Sequence, residues 1–117
     1  MIKIVESLRP DTLVYELNGF VTKDEIAAIE PDMKTIEERM GHINLVIMLN
    51  AEGESMGAIL KEEQLSVKHW NKIKKIAYVG DKKWWKPVVI IDNILTKFEE
   101  KYFDVDEMEK GWKWLAE

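Results

Sequence analysis

Between Ile43 and Leu49 a single polar residue, Asn44, interrupts an otherwise apolar run. A run this short, this continuous and this rich in branched side chains reads as a strand covered on both faces, because a half-exposed strand would alternate. Lys75-Ile76-Ala77-Tyr78-Val79-Gly80 reads the same way. Between the two, Met56, Ile59, Leu60, Glu63, Val67 and Trp70 trace a mostly apolar helical face. Strand, helix and strand form a crossover unit, whose strands are expected to be parallel and whose hand is expected to be right. This unit constrains the chain to an α/β fold.

The flanking segments extend that core. Ile2 and Ile4 alternate with lysine, Pro10-Asp11 supplies turn chemistry, and Leu13 to Leu17 follows, so the opening predicts an antiparallel hairpin ending at Asn18-Gly19. Thr22-Lys23-Asp24-Glu25 matches a capping box at a helix start. Ile26, Ile29, Met33, Ile36 and Met40 then recur at helical spacing up to Gly41, a C′ residue, with a kink or a division into two short helices expected at Pro31. Asp81 caps a further helix to about Leu95, although Val88–Ile91 also fits a strand. Glu99–Phe103 reads as a short edge strand. Asp106 is the expected cap of a last helix that turns Met108, Trp112 and Leu115 inward and leaves Lys110 and Lys113 in water. The order is β-β-α-β-α-β-α-β-α: a mixed sheet of about five strands with helices packed on it, in one domain over residues 1–117.

Several function classes are disfavoured by composition. The 117 residues include no cysteine, which excludes a disulfide framework, a thiolate nucleophile and a Cys-ligated zinc site, and which fits a reducing cytoplasm. Glu6 falls where a signal peptide needs an apolar run, and no stretch is long enough to span a bilayer, so a cytoplasmic protein is expected. A net charge of −5 repels nucleic acid. That charge is unevenly spread: Lys68 to Lys86 contains seven lysines against one acid, Asp81, a local charge of +6 that leaves −11 for the remainder.

Candidate sites follow from three places. Gly53-Glu54-Ser55-Met56-Gly57 satisfies the G-x-S-x-G pattern between a predicted strand and a predicted helix. The nearest later histidine, His69, is 14 residues beyond Ser55 and on the same predicted helix, and no oxyanion loop is evident, so a hydrolase is not expected. His42 and His69 are the two imidazoles, both at element ends, and read as structural or surface groups; no metal site and no cofactor motif is expected. The third place is Lys82-Lys83-Trp84-Trp85-Lys86-Pro87-Val88-Val89-Ile90-Ile91, which as a helix is apolar almost all round. It can be a well-buried helix, a dimer interface, or a contact with a lipid-like ligand or an anionic membrane. In the last case Trp84, Trp85, Val88 and Val89 supply the apolar surface, and Lys82, Lys83 and Lys86 supply the charge.

Four features together resemble the SpoIIAA-like family, which is related to the STAS domain and is also described as CRAL-TRIO-like. They are the capped helix with its internal Pro31, the two-sided strand after Gly41, Lys74-Lys75-Ile76-Ala77-Tyr78-Val79-Gly80-Asp81 followed by Trp84, and Phe103-Asp104 followed by Trp114-Leu115. The resemblance implies a small cytosolic domain, often dimeric, that binds an apolar or lipid-like ligand or associates with membranes, and it brings no catalytic residues. In the anti-sigma factor antagonist relatives a serine at a helix start is phosphorylated. Ser55 occupies the corresponding region, but within Glu54-Ser55-Met56-Gly57 and not Asp-Ser-Ser-Gly. The leading expectation is a non-enzymatic binding domain for an apolar or lipid-like small molecule, with peripheral membrane association. The alternative is a regulatory protein-interaction module of the anti-sigma factor antagonist type. A homodimer is compatible with both.

Overall fold

The computed structural model describes residues 2–18, 23–50, 72–80 and 99–117. Five strands form one sheet in the order of the sequence: β1 (Ile2–Val5), β2 (Thr12–Asn18), β3 (Ile43–Asn50), β4 (Ile73–Val79) and β5 (Glu99–Phe103). The β1–β2 hairpin is antiparallel, and every other pair is parallel. The mixed five-stranded sheet expected from the apolar runs is therefore present. The crossover segments expected as helices, residues 56–70 and 82–95, lie outside the described residues.

Period-two alternation sorts the strand side chains into two cores. Leu13, Tyr15 and Leu17 of β2 and Ile43, Leu45, Ile47 and Leu49 of β3 enter one cluster, together with Ile73, Ile76 and Tyr78 of β4. Val14, Val46, Ala77, Val79 and Phe103 enter the other. β3 contributes to both, and Ile43, Leu45 and Ile47 are wholly inaccessible to water. Ile73 and Ile76 reach the same face although three residues apart, because the register with β3 shifts between Ile43 and Asn44. This irregularity starts β4 two residues earlier than the Lys75–Gly80 run suggests.

On the first face the expected division into two helices is present, but it falls ahead of Pro31. α1 (Lys23–Ala27) ends before α2 (Glu30–Met40), so the break falls at Ala28-Ile29 and Pro31 sits in the first turn of α2, where its missing N–H costs nothing. Ile29 and Met33 are buried and Ile36 packs beside them, whereas Met40, at the last turn of α2, is exposed and leaves the expected stripe. Gly41 terminates α2 at φ 82°, the left-handed conformation that glycine adopts without strain. Thr22 of the expected capping box lies outside the described residues. Its partner Glu25 accepts a 3.1 Å hydrogen bond from the backbone N–H of Ile2, which ties α1 to the edge strand.

The second face is covered by α3 (Met108–Ala116). The cap expected at Asp106 is instead Asp104: its carboxylate accepts from Val105 N, and Glu107 accepts from Asp104 N, a reciprocal box that opens a 3-10 turn (Val105–Glu107) ahead of α3. Leu115 is buried, while Met108 and Trp112 are half-buried against the same cluster and Lys110 and Lys113 are exposed, so the expected inward face is right in direction but shallower at the indole. The other end of α3 is held by Lys75, one of the seven lysines of the basic stretch. It is buried, and its Nζ donates to the carbonyls of Trp114 at 2.8 Å and Glu117 at 3.2 Å while lying 5.2 Å from the Trp114 ring. A cation at the carbonyl end of a helix opposes the negative pole of its dipole, and the two acceptors offset the cost of burying the charge.

Gly111 occupies the middle of α3, where glycine costs roughly 0.5–1 kcal/mol relative to alanine. A Cβ there would meet the Phe103 ring at 3.5 Å, ordinary van der Waals contact. Gly111→Ala is expected to raise stability by about that amount, seen as a higher urea midpoint at unchanged slope. A lower midpoint would show that α3 cannot approach β5 with an added methyl group.

Candidate functional site

Parallel pairing brings the carboxyl ends of β2, β3 and β4 to one edge of the sheet. Asn18 and Asn50 end their strands in register, and Asn50 Nδ2 donates to Asn18 Oδ1 at 2.8 Å. Two residues back, alternation turns Glu16 and Met48 toward the α3 side. Val105 and Met108, at the entry to α3, line with them a cleft of about 240 Å³ that Leu49, Asn50 and Val79 also border. The Asp104 box is what fixes this geometry, because it sets the turn that carries Val105 over the strand ends. Val105 is 65% exposed, an apolar side chain held at the mouth of an apolar depression. Pockets that take drug-sized ligands measure roughly 300–1,000 Å³, so this cleft suits one inserted side chain better than a lipid.

The amino ends of the same strands hold a polar cluster. Asp11 is buried and receives both Arg9 Nε at 3.0 Å and Arg9 Nη2 at 3.1 Å, Thr12 Oγ1 at 2.9 Å, and His42 Nε2 at 3.0 Å. A carboxylate only accepts, so this contact assigns the histidine proton to Nε2. Asn44, the one polar residue of the β3 run, donates its backbone N–H to Asp11 O at 2.9 Å and approaches Asp11 Oδ2 with its amide nitrogen at 3.4 Å. The Arg9 hydrogen bond, aided by those of His42 and Thr12, holds the Asp11 carboxyl well below the usual carboxylate range despite its burial, and raises Arg9 in turn. His42 thus has the structural role expected of it. Asp11 was legible only as a turn residue, because the partners that make it the centre of a cluster, His42 and Asn44, are 31 and 33 positions away in sequence.

Ser55, Lys82, Lys83, Trp84, Trp85, Lys86, Val88 and Val89 all lie outside the described residues, as does His69. Among the described residues no group of three or more histidine, aspartate or glutamate side chains could hold a metal ion, and no helix is long and apolar enough to cross a membrane. The cleft residues were missed at the sequence level, since Glu16, Met48, Val79, Val105 and Met108 come from five different elements. The one available signal was Val105, an apolar residue between two aspartates.

Because Asp11 has a lower pKa folded than unfolded, its contribution is complete above the unfolded value of about 3.9 and is lost as pH falls below it toward the folded value. Asp11→Asn is expected to cost about 1–3 kcal/mol at neutral pH. In urea titrations the gap between variant and wild type should close as pH drops below about 4. A gap independent of pH would show that the carboxylate charge contributes nothing.

The model of the family described as SpoIIAA-like matches residues 12–116. No curated protein and no solved structure gives a match. The matched span starts at the first residue of β2 and ends at the last of α3, so it includes the parallel sheet, both cores, the Asp11 cluster from Thr12 onward and the cleft. On this match over nearly its whole length, the chain belongs to the SpoIIAA-like family.

Proposed function

We propose that this domain is a regulatory protein-interaction module of the anti-sigma factor antagonist type, working by docking and not by catalysis. The observation that carries the reading is the cleft at the carboxyl ends of β2, β3 and β4, whose volume suits a side chain of a partner. Family membership points the same way. So does the strand order: open α/β sheets hold nucleotides and similar cofactors where the order reverses, and the order from β1 to β5 does not reverse. Ser55, in the region corresponding to the serine modified in the antagonist relatives, follows five residues after Asn50, which is the last residue of β3 and lines the cleft. The apolar-ligand and membrane readings rest on Trp84, Trp85, Val88, Val89 and the lysines around them, and the described residues lend them no support.

Native mass spectrometry of the freshly purified protein and of complexes captured with it separates these readings. The proposal predicts a ligand-free mass and a stoichiometric protein complex. Ser55→Ala should leave that complex intact, whereas Ser55→Asp, which places a negative charge in the segment, should reduce its yield about tenfold. A stoichiometric lipid adduct with no captured protein would overturn the proposal in favour of the apolar-ligand reading.

A further inference from the structure

The partner's chemistry is written around the cleft. Val105 and Met108, which form one wall, alternate with acids in Asp104-Val105-Asp106-Glu107-Met108-Glu109, and Glu16 lines the opposite side. Asp104 and Glu107 are engaged in the capping box, but Asp106 and Glu109 are exposed, and Glu109 falls four residues beyond Val105, one helical turn away. Among the described residues, Lys3, opposite Glu16 in the β1–β2 register, and Lys110, paired with Glu107 at 3.3 Å, stand against these five acids. The described surroundings of the cleft are therefore acidic and its lining mostly apolar. Two methionines, Met48 and Met108, line the interior, and their unbranched side chains adapt to differently shaped insertions, a property of surfaces that accept more than one sequence.

We infer that the cleft between the β2–β4 strand ends and the start of α3 receives a single apolar side chain from a basic peptide segment of a partner protein. The inference rests on the reading of the domain as an interaction module and names what that module recognises. Size selects the anchor: about 240 Å³ is below the range of drug-sized ligand sites and suits one large side chain. Charge selects the flanks, because lysine or arginine on either side of the anchor would meet Asp106, Glu109 and Glu16, while acidic flanks would be repelled.

The test uses the full chain with ¹³C-labelled methionine methyl groups, titrated with a synthetic peptide carrying one leucine between lysines. Comparison peptides replace the leucine by glycine, or the lysines by glutamates. The Met48 and Met108 signals are expected to shift with the lysine-flanked leucine peptide only, while Met33, the buried methionine of α2, stays in place and reports an intact core. Val105→Ser should weaken the titration about fivefold, in line with loss of an anchor contact. Glu16→Gln combined with Glu109→Gln should flatten its salt dependence. Equal shifts with the glutamate-flanked peptide, or none at Met48 and Met108 with any peptide, would overturn the inference. If a captured protein complex persists in Val105→Ser without loss, the module reading survives and the cleft is not its contact.

Discussion

β3 is hydrogen-bonded to a parallel neighbour on each side and buried on both faces, and every other described element is placed by reference to it. Its odd-numbered residues form the floor on which α2 packs, and Val46 joins the cluster under α3. Burying a large aliphatic side chain contributes about 1.5–3 kcal/mol, and β3 buries five of them, at Ile43, Leu45, Val46, Ile47 and Leu49. A slip of one residue would move each of these to the opposite face, so the register with β2 and β4 is strongly specified. That rigidity holds Asn50, Met48 and Leu49 at one edge of the sheet and Asn44 at the other.

The two edges do different physical work. At the amino edge, Asp11 gathers Arg9, Thr12, His42 and Asn44 into a polar cluster that ties the β1–β2 turn to the α2–β3 junction and leaves Asn44 Oδ1 buried without a partner among the described residues. Its carboxylate is already saturated with donors, which suits a structural tie better than a reactive group. At the carboxyl edge the strands end in a mostly apolar cleft lined by an exposed valine and Glu16, with the exposed Asp106 and Glu109 next in sequence to Val105 and Met108.

Elements whose signal is local were legible in the sequence. The apolar runs gave β3 and β4, alternation and turn chemistry gave the hairpin, Gly41 gave the end of α2, and Glu99–Phe103 gave the last strand. What was not legible depends on the local backbone geometry or on residues distant in sequence. The division of the first helix at Ala28-Ile29, and not at Pro31 itself, follows from proline being comfortable in a first turn. Asp104 displaces Asp106 as the cap because its extended backbone, with Glu107 three residues on, permits a reciprocal box. Lys75 reads as one more surface lysine until the shifted β4 register turns it under α3, beneath Trp114. The cleft is hardest to see, since no single segment contains more than three of its residues.

The central claim is that β3 is the least labile part of the molecule and fixes the geometry of both edges. Native-state amide hydrogen exchange tests it most directly, because it reports the opening free energy of each backbone N–H. The Leu45, Val46 and Ile47 amides should be the slowest in the protein, and their exchange should respond to urea with the full slope of global unfolding. Exchange of these amides that is faster than that of α3 or β1, or insensitive to urea, would contradict the account.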